Sequence, residues 1–282
     1  MTVSPASTLS AQTLIHALRL PEGCRVDQRV PKKLLLENGA PTAADKRLIT
    51  EAIEEIQWIA ALKPNTIGVP DYRDTLREYL EIAVLAVTVR GIVKPASHSR
   101  LAELVHRAVP YPVLLLLIEG QSLTLSLAHK RWAQNEAAKV VLDGSPISIT
   151  LSVTVSASLS EVNAADASHP DPAEADQAES AFIQSLSVTR QPQATLHALY
   201  QGWVDCVQAL LAARLTGRYH IPTTPEQAAA RRQALADCER LEAEVSRLRA
   251  HALREKQLAR QVELNLTLKR VQAELAAARR QL

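Results

Sequence analysis

The stretch richest in reactive groups is SLAHKRWAQNEAAK, residues 126–139, where an alternating segment runs into His129, Lys130, Arg131 and Trp132. On a strand, Leu123, Leu125, Leu127 and His129 share one face, while Thr124, Ser126, Ala128 and Lys130 share the other. Three readings follow. His129 could be a half-buried side chain bonded to a backbone carbonyl, with Lys130 and Arg131 in solvent. Lys130 and Arg131 could meet phosphate oxygens while Trp132 stacks on a base. The third reading is catalysis.

Catalysis can be tested against spacing. Restriction-type nucleases hold magnesium with an acid on one strand and an Asp/Glu-x-Lys on its neighbour. Glu81, Glu119 and Lys130 could supply a divergent version. The residues in place are Glu119-Gly120-Gln121 and Ala128-His129-Lys130, so the regular motif is not there. A divergent magnesium-dependent nuclease therefore stands as the alternative function, with no catalytic residue assigned.

A second basic candidate is VPKKLLLENG, where Lys32 and Lys33 could contact phosphate, or Lys33 could pair with Glu37 one helical turn away. His16, His98 and His106 are dispersed and lack zinc-site spacing, and no Gly-rich phosphate loop occurs, so no metal and no cofactor are expected. Cys24, Cys206 and Cys238 are too far apart for a metal or disulfide pattern, and Cys206 and Cys238 fit apolar helix faces as small buried hydrophobes. No run approaches the roughly 18 apolar residues of a membrane span, and the first 20 residues lack a signal-peptide pattern. A reducing cytoplasm is the expected location.

Charge divides the chain. Residues 1–155 carry 17 Lys+Arg and 15 Asp+Glu, residues 156–185 carry none and six, and residues 186–282 carry 15 and nine. The middle stretch, rich in Ala, Ser, Asp, Glu and Pro, reads as an acidic linker or mobile loop. Ahead of it, Leu48, Ile49, Ile53, Ile56, Ile59 and Ala60 recur at three and four, which predicts one helix. Residues 78–89 alternate like a strand, Ser99–Val109 reads as a helix, and Glu119-Gly120-Gln121 turns between two strands. Residues 146–155 are one more strand. The expected fold is α+β: a small mixed sheet with packed helices over 1–155, the linker at 156–185, and a helical region at 186–222. A long coiled-coil helix follows at 223–282.

That last helix carries a capping signal at Thr224-Pro225 with Gln227. Leu241, Val245 and Leu248 follow one apolar seam, and Leu264, Leu268, Val271 and Leu275 follow another, and these are the candidate oligomerisation residues. The seams differ in phase. Leu258, Val262 and Leu266 mark a third row at the shift, as a stutter or a changing hairpin partner would produce. Twelve Lys and Arg decorate the helix between Arg231 and Arg280, interleaved with Glu. They read as a solvated face or as a surface for DNA or an acidic partner.

Several segments taken in order resemble one family: RVPKKLLLENG, ADKRLITEAIEEIQWIAALKPNTIGVP, REYLEIAVLAV, RAVPYPVLLLL, LAHKRWAQ and REKQLARQVELNLTLKR. The chain is similar here to a bacterial family known as domain of unknown function 4391, across roughly residues 10–145 and 195–280. The resemblance implies gene neighbourhoods of helicases and DNA methyltransferases in phage defence, and carries no established activity or site residues. The expected function is a non-enzymatic accessory subunit of such a complex. Its partner would be a helicase or DNA methyltransferase, with DNA contact through Lys130, Arg131, Trp132, Lys32 and Lys33, or a homodimer through the C-terminal helix.

Overall fold

The computed structural model describes residues 10–134, 136, 139–152 and 172–282. Among these, two compact units separate, Met1–Glu161 with Ala181–Val207 and Val162–Ser180 with Gln208–Leu282.

The first unit opens with α1 (Ala11–Ala17), β1 (Arg25–Arg29), α2 (Lys32–Asn38) and α3 (Ala43–Ala52). Thr42 caps α3 by accepting from the Asp45 amide. The chain then becomes β2 (Ile53–Leu62), short α4 (Pro64–Ile67), β3 (Tyr72–Arg73), β4 (Glu78–Tyr79) and β5 (Ile82–Val89). Helix α5 (Pro95–Ala108) crosses over to β6 (Val113–Glu119), and β7 (Ser122–Leu127), β8 (Lys130–Trp132), β9 (Val140–Leu142) and β10 (Ile147–Ser152) follow.

Six strands form the main sheet in the order β1-β2-β5-β6-β7-β10. Only β5 and β6 run parallel, as the α5 crossover requires. Ile56, Leu85, Val87, Leu115 and Leu117 pack on that sheet with Leu35, Ile49, Leu101 and Leu104 of the helices. The alternate residues Ile82, Val84, Leu114, Leu116 and Leu125 are also buried, so the central strands are apolar on both faces.

The single helix expected over residues 48–60 is instead α3 followed by β2. The β2–β5 pairing carries irregularities at Ile53/Glu55 and at Trp58/Ala60. A bulge inserts one residue between inward-facing positions, turning a spacing of two into three. Ile53 and Ile56 thereby reach the same core with helix-like spacing.

Residues 172–185, expected within the acidic linker, form helix α6 (Pro172–Ser185), with Ala178 and Phe182 buried. Residues 156–171 of that expectation lie outside the described residues. Helix α7 (Leu196–Thr216) begins in the first unit, where the Leu196 amide donates to the Pro70 carbonyl and the Trp203 indole to the Leu186 carbonyl.

The second unit holds α8 (Pro225–Arg254) and α9 (Leu258–Arg279). Thr224 caps α8 by accepting from the Gln227 amide, as the sequence predicts. The continuous C-terminal helix is corrected to a hairpin, because the backbone leaves helical geometry at Glu255. Both seams meet inside it: Leu241, Val245 and Leu248 pack with Val271 and Leu275, and Leu264 and Leu268 lie against them. The phase change is thus the point of reversal, and the seven candidate oligomerisation residues are consumed within one chain.

Candidate functional site

The corner after β7 brings together rings from four separate segments. The Tyr79 hydroxyl lies 2.5 Å from His129 Nδ1. The His197 ring, from the first turn of α7, stands edge-on to Tyr79 with centroids 4.9 Å apart, and Tyr72 stacks on it at 4.8 Å. Tyr200 fixes the corner from below: its hydroxyl accepts from the Ala128 amide and lies 2.8 Å from the Val113 carbonyl.

Burial sets the protonation states. It pulls His129 down to about 4, helped by His197, and drives Tyr79 well above the usual phenol range. At neutral pH the Tyr79 hydroxyl therefore donates to a neutral imidazole. His129 Nε2 then carries the ring proton and faces the Gln201 amide without a well-formed hydrogen bond. At the rim, Arg77 meets Asp143 at 2.5 Å and Arg131 meets it at 3.6 Å. The cluster ties β3, β4, the corner after β7 and α7 together through ring contacts.

Lys130 is the departure from expectation. It is only 3% exposed, and its ammonium donates to the His106 carbonyl at 2.5 Å and to the Val109 carbonyl. The sequence explains the need. The carbonyl of His106 would accept from the amide four residues on, but that residue is Pro110, which has no N–H. Lys130 supplies the missing donor at the negative end of α5. Burial lowers its pKa to about 7, while the two carbonyls and the helix end favour the charged form.

The remaining basic candidates are scattered. Arg131 and Trp132 are half-buried on β8. Lys33 is exposed and pairs with Glu37 at 3.6 Å, the i,i+4 pair open in the sequence. Lys32 donates to the Ile53 carbonyl, beside the C-terminal end of β5. Lys130 sits at the other end of α5, a 14-residue helix about 21 Å long. The two patches therefore do not merge.

The nuclease geometry separates as well. Glu81 precedes β5 and Glu119 ends β6, and these strands are parallel and in register from Ala83–Val113 to Thr88–Ile118. The two carboxylates stand at opposite ends, about 25 Å apart at roughly 3.3 Å per residue. Glu81 pairs with Lys63 at 3.1 Å, and Glu119 accepts from the Val93 amide. Neither faces Lys130. Among the described residues no three His, Cys, Asp or Glu are placed to hold a metal, and no helix is long and apolar enough to cross a membrane.

The second unit offers a different surface. A groove of about 860 Å³ has Val245, Leu275 and Ala276 among its apolar lining and Arg249, Arg279 and Arg280 among its polar lining. Arg279 meets Glu242 at 3.0 Å, while Arg249 and Arg280 are exposed and meet no carboxylate among the described residues.

Fold and site together define an α+β protein whose sheet carries a rigid aromatic corner and whose C-terminal helices form a hairpin. The chain belongs to the family described as Domain of unknown function (DUF4391), whose model matches residues 18–275. Comparisons with curated proteins and with solved structures gave no match.

Proposed function

We propose that the protein is a non-enzymatic accessory subunit that assembles with a protein partner in a bacterial, cytoplasmic DNA-processing or phage-defence complex. The proposed partner class is a helicase or DNA methyltransferase, as the resemblance implies. The observation that supports an assembly role is the hairpin groove, where Arg249 and Arg280 are exposed and meet no carboxylate among the described residues. Such a surface recognises an acidic segment with apolar anchors, the charges steering encounter and the burial holding it. Any contact with DNA falls to Lys33, Arg131 and Trp132, since the Lys130 ammonium is committed to α5 and the Lys32 ammonium to the Ile53 carbonyl.

Affinity capture with the full chain tests this reading. The wild type should retain a helicase or methyltransferase, and Arg249→Glu with Arg280→Glu should lose it while circular dichroism is unchanged. Equal capture by the double variant would overturn the groove. Capture of neither enzyme class by wild type would overturn the partner.

A further inference from the structure

The groove of the hairpin is lined in part by Leu215 and Thr216, from the last turn of α7. Helix α6 runs back along α7. Near the end of α6 the Cys206 thiol donates to the Ser185 carbonyl, and nearer its start Glu179 meets Arg214 at 2.8 Å. The two helices are therefore antiparallel, and the start of α6 lies toward the α7 residues that line the groove. Pro172 is about 10 Å beyond Glu179 in that direction, seven residues along the helix. The chain arriving there is acidic: from Glu161 to Asp176 it carries five acids and no Lys or Arg. Residues 153–171 lie outside the described residues.

We propose that residues 161–171 of this same chain occupy the groove, Asp166 and Asp171 meeting Arg249 and Arg280, so that a partner gains the groove by displacing them. This rests on the groove reading above and assigns its regulation. Three features favour the chain's own segment. The first is charge. Glu242 is the one carboxylate among the described lining residues and Arg279 already meets it at 3.0 Å, which leaves Arg249 and Arg280 for two further acids. The second is size. Val162, Ala164, Ala165 and Ala167 are small apolar residues between the acids, suited to the strip at Val245, Leu275 and Ala276. The third is the tether. On α9 the lining runs from Gln272 to Arg280, about 12 Å of helix, and residues 161–171 can extend to about 36 Å. Because α6 anchors the segment beside the groove, its effective concentration is of millimolar order. A docking too weak to form between separate molecules therefore still fills the groove.

Two measurements on the full chain test this. The first is fluorescence anisotropy with a labelled peptide of residues 156–171. The triple variant Glu161→Gln, Asp166→Asn, Asp171→Asn vacates the groove, so it should bind the peptide about tenfold or more tightly than wild type does. Adding Arg249→Glu and Arg280→Glu to that variant should abolish the binding. Cysteine pairing then reads the docking directly, because the native Cys24, Cys206 and Cys238 are buried. Under mild oxidation Ala167→Cys with Ser246→Cys should close a disulfide within one chain, and added salt should slow it. Equal peptide affinity for wild type and the triple variant would overturn the proposal, as would binding to neither. So would closure with Ser246→Cys no faster than with Gln233→Cys on exposed α8 surface. None of these results bears on the partner, which affinity capture tests separately. In that capture the triple variant should retain more partner than wild type.

Discussion

Replacing Lys130 by Met keeps a long, apolar stem in the corner and deletes only the ammonium. In the wild type that group donates to the carbonyls of His106 and Val109, at the end of a helix followed by Pro110. No backbone amide can replace the bond to His106, and the Lys130 side chain is itself buried. Two acceptors lose their donor at about 1–3 kcal/mol each, so the substitution should cost about 2–6 kcal/mol. Arg131→Met removes a rim charge 3.6 Å from an Asp143 that Arg77 already holds, and should cost under about 1 kcal/mol. Urea unfolding followed by tryptophan fluorescence is the assay. Trp58, Trp132 and Trp203 all lie in the sheet-bearing unit, so the signal reports that unit alone. Were Lys130→Met within about 0.5 kcal/mol of wild type, or were it to abolish DNA binding without moving the midpoint, the helix-end role would be refuted.

Three further outcomes follow from the structure. His129 is held near 4 against an ordinary histidine's 6.5, so the unfolded chain takes up a proton that the folded chain refuses. Its stabilisation is full above pH 6.5 and is lost as pH falls toward 4, by about 3 kcal/mol at 1.36 per unit. Denaturant midpoints for His129→Asn should show a shallower acid slope, and an unchanged slope would contradict the burial argument. Leu248→Ala opens a cavity in the hairpin and should cost about 2–5 kcal/mol. Because the seam closes within one chain, the sedimentation coefficient should not change, and loss of a dimer would place the seam between chains instead. Asp45, held at about 2 by the Arg100 guanidinium and the Thr42 hydroxyl, should titrate closer to 4 in Arg100→Ala by NMR. A value that stays near 2 would assign the depression to Thr42.

Elements set by local signals were legible. The turn at Gly120, where φ is 57°, and the cap at Thr224 follow from two or three neighbouring residues. The Lys33–Glu37 pair needed only one helical turn. The aromatic corner was not legible, because Tyr72, Tyr79, His129 and the His197–Tyr200 turn come from four separate segments of the unit. One signal was available: the chain has five tyrosines, and three of them sit here. With so few aromatics, a shared location for those flanking the strands was worth weighing.

The sequence by itself determined an α+β protein with a helical C-terminal region, because alternation, helical periodicity and capping act over a few residues. It also held both seams of the hairpin and the row left over. Tertiary structure alone decided which of those rows meet. It made β2 a strand, since a bulge and pairing with β5 outweigh a helix-like spacing. It also turned Lys130 inward, since the unpaired carbonyl left by Pro110, distant in sequence but adjacent in the fold, binds the ammonium that a strand end would otherwise offer to solvent.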